Sequence, residues 1–315
     1  MSIAKIAKTA NIENHPGRSN GHSHPAYSGR SNASRPPLAN YSQTAVNEVP
    51  TWPDVERARV PVNVGNVGNV GNLGNVGNDE QVIIQHAKDR LLLITQPDHA
   101  ALAGRIMRAW TLGRLPDHPR REEILAATDH HDNGWQEEDT ELHVNESGDP
   151  LDFVAVPPHV KQRIWPRAAE RCAARSPYVA ALIAQHALTV HAPLAQDPSW
   201  GSFFRVMTRT RDELLARSGV TPEDLAADYP FVRTGDQLSL IFCNGWTAPL
   251  TGIGYKAILS GITLQITPDP FTGVRVPLEV TARSLPAARY GSAAGLRAAL
   301  AAAPTVRLAG EAVGV

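Results

Sequence analysis

The sequence predicts a mainly α domain: a helical bundle with a small β addition from the N- and C-terminal parts of the domain, behind a long low-complexity tail. Three observations predict it. Apolar residues recur at helical spacing through most of residues 97–243. Short β-rich runs flank that stretch on both sides. The first eighty residues hold too few aliphatic side chains to offset the entropy of ordering them.

Residues 1–80 therefore read as a disordered tail and linker, and residues 81–315 as a single domain. Asn14–Tyr41 is rich in Ser, Asn, Gly, Pro and His. Val64–Asn78 repeats Val-Gly-Asn, once Leu-Gly-Asn, with a period of three that suits neither helix nor strand. A solenoid would need several stacked coils, each tens of residues long. His15, His22 and His24 lie in this tail and are not read as a metal site.

The domain opens with a β-hairpin, Gln81–His86 and Leu91–Thr95, around Lys88-Asp89. Pro97-Asp98 starts a helix that runs to about Leu112, with Pro in the first turn and Asp at the positive end. Arg121–His131 forms a second helix, closed by Asn133-Gly134. Further helices are expected at Val160–Ala174, Pro177–Thr189, Ser202–Ser218 and Phe231–Cys243. From Gly261 the pattern changes. Ile262–Thr267 alternates strictly, and Val274–Ala282 is β-rich around Pro277. A short helix, Ala293–Ala302, and a last extended piece end the chain.

Composition narrows the function. Thirty basic and 31 acidic residues leave a formal charge of −1, without the basic excess of a nucleic-acid binder. No apolar run reaches the roughly 18 residues that suggest a membrane span, and Ala4–Ile12 is too polar for a signal peptide. Cys172 and Cys243 are too few for a disulfide framework and read as buried thiols. The expectation is a cytoplasmic protein with a small-molecule substrate. No P-loop or nucleophile elbow is present, and Gly252-Ile-Gly254 lacks the third glycine of a dinucleotide fingerprint.

The chemistry concentrates in a few inward-facing polar residues. His99 shares a helix face with Ala103, Ile106, Met107 and Trp110. His131 and Asp132 follow the apolar face of Ile124, Leu125 and Thr128. Asp236 lines up with Val232, Leu240 and Cys243, unless it caps a helix that begins after it. An ionised Asp in a helical core is costly unless paired or bound to a cation, and imidazoles with carboxylates suit divalent transition metals. His186 shares a face with Val179, Leu182 and Ile183, and reads as a ligand, or as a substrate contact with a catalytic role. His191, five residues on, falls about 140° round the helix, unless the helix has ended before it. His130 reads as exposed. Glu137, Glu138 and Asp139 read as a solvated turn or a general base, Trp135 as a pocket wall or a core anchor. Arg105, Arg108 and Arg114 read as surface groups or phosphate contacts.

Leu91–Ala100, His131-Asp-Asn-Gly-Trp135 and Leu151-Asp-Phe153 resemble DUF3891, a bacterial family of unknown function, over residues 81–310. More distantly, the order His, His-Asp, Asp resembles the HD superfamily of metal-dependent phosphohydrolases. His131-Asp-Asn-Gly134 is similar to its His-Asp-x-Gly element, Asp98–Gly104 to its first ligand helix, and Gly235–Ser239 to its last. That resemblance implies an HD-like helical bundle. It implies His99, His131, Asp132 and Asp236 as ligands of a divalent ion (Mn, Fe, Zn or Mg), with Asp132 also catalytic. It implies hydrolysis of a small phosphoester or nucleotide. Trp135 stands where such enzymes often carry Lys. Two other readings stay open: an HD-type di-iron oxygenase, which needs two further histidines, and a non-catalytic binding or scaffold protein.

Overall fold

Chain-terminating and chain-reversing residues fix the elements. The computed structural model describes residues 82–138 and 142–315, which fall in one compact unit. The expected tail, with its three histidines, and Asp139 lie outside the described residues. Strands β1 (Ile83–Ala87) and β2 (Arg90–Ile94) pair antiparallel across the two-residue Lys88-Asp89 turn. Helix α1 (Gln96–Arg108) is capped by Thr95, whose hydroxyl accepts from the Asp98 N–H. Helix α2 (Arg121–His130) leads into a 3₁₀ turn, Asn133–Trp135. Then come α3 (Pro158–Ala173), α4 (Pro177–Val190) and α5 (Gly201–Ser218). Each of α3 and α4 has Pro in its first turn, where a missing N–H costs nothing.

Helix α6 (Pro222–Asn244) departs from expectation. It begins nine residues before Phe231, and Pro230 sits inside it instead of ending it. Thr221 caps its start, and Gly245 at φ 67° closes it with the left-handed turn that glycine adopts without strain. Asp236 is therefore a residue of the helix body, not a cap.

The remaining strands are β3 (Leu250–Gly252), β4 (Tyr255–Ser260), β5 (Thr263–Thr267), β6 (Val276–Pro286) and β7 (Thr305–Gly314), with α7 (Ala293–Ala302) before β7. They join the hairpin in one seven-stranded mixed sheet, ordered β1-β2-β6-β7-β5-β4-β3. Only β5 and β7 run parallel; the other neighbours are antiparallel. The expected HD-like helical bundle with a small β addition is therefore corrected: a curled seven-stranded sheet stands beside the helices. The physical reason is that strands distant in the sequence pair with one another. The β1–β2 hairpin docks on β6, and β7 fills the middle, between β6 and β5. Pro277 is tolerated because β2 reaches only Arg283–Pro286, which leaves β6 open on one side at that point.

The core lies between the sheet and the helices. Ile83, Ile94, Leu264, Ile266 and Leu278 of the sheet pack in one cluster with Ile106, Met107, Val232 and Leu238. A smaller cluster, with Ile84, Leu91, Leu93, Leu285 and Leu296, forms where α7 covers the other face. No helix among the described residues is long and apolar enough to cross a membrane.

Candidate metal centre

Three segments deliver the four predicted ligands, and each has a local reason to do so. His99 lies in the first turn of α1, on the face that buries Ala103, Ile106 and Met107. At the end of α2 the chain leaves the helix: His131 is still helical, but Asp132 takes φ −105°, ψ 16°. That sparsely populated region swings two consecutive side chains toward one point, which a continuing helix would not do. Gly134 fixes this turn against α3, since a Cβ there would meet the Ile164 carbonyl oxygen at 2.1 Å. Gly235 does the same for α6. A Cβ at Gly235 would lie 2.7 Å from Thr128 Cγ2 and 2.8 Å from Met107 Cγ, so only glycine lets Asp236 come this close to α1 and α2.

The result is convergence. One donor atom from each of His99, His131, Asp132 and Asp236 lies within 4.8 Å of all the others, and all four residues are buried. His99 Nε2 is 3.1 Å from His131 Nε2 and 3.1 Å from Asp132 Oδ2. His131 Nε2 is 3.3 Å from both Asp132 Oδ2 and Asp236 Oδ1, and His99 Nε2 is 3.5 Å from Asp236 Oδ1. His131 Nδ1 sits 2.8 Å from the Thr128 carbonyl oxygen, which can only accept. That nitrogen therefore carries hydrogen, and in neutral His131 the Nε2 lone pair faces the centre. The group could hold a metal ion, and its donor types suit a divalent one.

Electrostatics agree with the geometry. Burial alone would lower His131, yet Asp132 and Asp236 raise it well above the usual imidazole value. Burial alone would raise the two carboxyls, but the surrounding histidines hold both below the ordinary range. Without a metal, the centre thus keeps a proton on His131 between two carboxylates.

His186 borders the group. Its Nε2 lies 3.9 Å from Asp236 Oδ2, and its ring meets those of His131 and Trp165 at 4.9 and 5.5 Å between centroids. Nδ1 is 3.2 Å from the Tyr229 hydroxyl. Burial pushes His186 down to about 4, so it is neutral at neutral pH. His191 does not join. Its Nε2 accepts the Trp165 indole N–H at 2.8 Å, and its ring lies tilted against Trp200, 4.6 Å between centroids.

The other polar residues of interest have structural partners. Glu138 is buried and bound by Arg163 and Arg167, while Glu137 meets Arg167 and Arg171. These pairs strap the turn that follows His131 and Asp132 to α3, so Glu138 is neither solvated nor poised as a base. Trp135 is a core residue. Arg108 pairs with Asp129, Arg114 with Asp228, and Arg105 donates to the Glu279 carbonyl oxygen. His130 is exposed, as expected. Sequence reasoning assigned no role to Ser239, whose Oγ lies 2.8 Å from His99 Nδ1. Its position one turn after Asp236 was the available signal.

No curated protein and no solved structure matches the chain. The family model described as "Protein of unknown function (DUF3891)" matches residues 82–287, a span that holds all four converging residues and His186. On that match the chain belongs to the DUF3891 family.

Proposed function

We propose that this protein is a divalent-metal-dependent hydrolase acting on a small phosphoester or nucleotide. The observation that carries the proposal is the donor set itself: two imidazole nitrogens and two carboxylate oxygens, buried and turned toward one point. Two carboxylates supply the charge that one divalent ion neutralises, and leaving them buried without a cation is costly. When bound, the ion supplies Lewis-acid polarisation of a phosphoryl oxygen and lowers the pKa of a coordinated water.

The chain's own residues do the rest. His99, His131, Asp132 and Asp236 hold the ion. All four are buried, Asp132 the least so at 7%. His186 stays neutral, with its Nδ1 3.2 Å from the Tyr229 hydroxyl, which burial keeps protonated. A neutral imidazole beside Asp236 has a lone pair to accept a proton from the attacking water as that water loses it to become the nucleophile, and no acidic proton to give. The di-iron oxygenase reading needs two further histidines, and His191 is already committed to Trp165.

The test is metal analysis of the purified full chain, followed by assay against monoesters, diesters and nucleotides with Mn, Fe, Zn or Mg. The expected result is about one metal per chain and metal-dependent phosphate release. Metal-dependent oxygen consumption without hydrolysis would move the assignment to an oxygenase. Stoichiometric metal with neither activity would make the centre structural.

A further inference from the structure

We infer that Ser239 is a positioning residue that fixes the tautomer of His99 and thereby commits its Nε2 to the centre. The inference rests on reading the centre as a metal site. Ser239 is fully buried on α6, one turn after Asp236. Its Oγ makes two contacts: 2.8 Å to His99 Nδ1 and 2.9 Å to the Asp236 carbonyl oxygen. A serine hydroxyl has one proton and two lone pairs. The carbonyl can only accept, so the proton goes there. What remains for His99 is a lone pair, and Nδ1 must be the donor. Nε2 is then left without hydrogen, facing His131 Nε2 and Asp132 Oδ2 at 3.1 Å.

The arrangement mirrors His131, whose Nδ1–H is claimed by the Thr128 carbonyl. It also does something that a backbone carbonyl cannot. One hydroxyl ties the ligand on α1 to the backbone of the ligand on α6, so the two move as a unit. The acceptor is neutral, so the inner set keeps a formal charge of −2 from Asp132 and Asp236, matched to a divalent ion. Groups that orient a ligand in this way commonly contribute 10–100-fold to metal affinity.

The experiment uses the full chain. Long-range ¹H–¹⁵N spectra of metal-free, ¹⁵N-histidine-labelled protein at about pH 8, where unperturbed imidazole is neutral, report each tautomer. The His99 signals are assigned by their loss in His99→Gln. We expect His99 as the Nδ1–H tautomer. Zinc affinity, from competition with a chelator, should fall roughly 10–100-fold in Ser239→Ala and recover in Ser239→Thr, whose hydroxyl can make the same bonds. An Nε2–H tautomer in the parent protein overturns the inference whatever the metal does. So does a Ser239→Ala protein that binds zinc within twofold of the parent. A parent that binds no zinc sinks the metal reading, and the spectra still decide Ser239. If Ser239→Ala does not fold, the parent spectrum decides alone.

Discussion

Replacing Asp132 by alanine separates a metal ligand from a structural carboxylate. Asp132 Oδ2 lies 3.1 Å from His99 Nε2 and 3.3 Å from His131 Nε2, so its loss removes one of four donors. Four-ligand zinc sites release ~10–16 kcal/mol on binding, so one ligand is worth about 3 kcal/mol. At 1.4 kcal/mol per tenfold, that is a loss of roughly a hundredfold in zinc affinity. The metal-free protein should behave differently. There, two carboxylates face one imidazolium on His131, a buried net charge of one negative unit. Alanine at 132 leaves Asp236 and His131 balanced, so the stability of the metal-free form should stay within about 1 kcal/mol of the parent. Chelator competition and thermal melts of the chelator-treated protein read the two quantities on one sample. Zinc affinity within threefold of the parent, with a clearly lowered metal-free melting temperature, would show that Asp132 serves the fold and would refute the reasoning.

Further outcomes follow from the site and from the fold around it. The raised His131 contributes stability that is complete below the unfolded value of about 6.5 and disappears as pH rises through its folded value. His186, lowered to about 4, acts oppositely, its contribution complete above about 6.5 and lost as pH falls toward 4. Metal-free melting temperature should therefore peak near pH 6.5, and zinc binding at pH 7 should release about one proton, read by calorimetry in buffers of differing ionisation enthalpy. Gly235→Ala forces a methyl to within 2.8 Å of Thr128 and Met107, so it should lower stability by about 1–3 kcal/mol in denaturant titrations and weaken zinc binding as well. Asp228→Ala should lower stability by about 3 kcal/mol with metal content unchanged, because Arg120, Arg114 and Tyr178 all donate to that carboxylate. Deleting residues 305–315 removes β7, the partner of both β5 and β6, and should abolish the cooperative thermal transition by circular dichroism, although β7 lies outside the residues that the family model matches.

What the sequence made legible was local. The β1–β2 hairpin, the capped start of α1 and the whole of α7 are written in consecutive residues. So was the inward direction of His99 and Asp236, because helical period is a short-range property. The seven-stranded sheet was not. β7 carries Ala309, Gly310 and Gly314 where a strand is expected to carry large apolar residues. Its small side chains make sense only once its neighbours are known: a Cβ at Gly310 would strike the Ile262 carbonyl oxygen and Phe242. The helix expected over Phe231–Cys243 extends back through Pro230 to Pro222, where Thr221 caps it. His191 was judged by helical angle, but α4 ends at Val190, so the chain reversal there sets its direction.

The deeper limit concerns what buried polar residues face. Asp228 and Asp236 sit on the same helix and are both buried, and nothing in the sequence distinguishes them. Their surroundings do. Asp228 is enclosed by donors: the Arg120 Nε–H at 2.8 Å, Arg114 at 2.6 Å and the Tyr178 hydroxyl at 2.6 Å. It is a satisfied carboxylate that asks for nothing more. Asp236 faces His99 and His131, and the nitrogen that each turns toward it is the one whose hydrogen the outer contacts assign elsewhere. Acceptors turned toward acceptors need a proton or a cation between them. The sign of that mismatch is set by Thr128 and Ser239, which touch the far side of each imidazole ring. Neither bears a charge, and Ser239 is 140 residues from the ring it orients. A pattern read along the chain singles out the four residues that converge. Only the folded neighbours of those residues reveal that in the neutral rings lone pairs meet at the centre, where the metal-free protein holds one proton on His131.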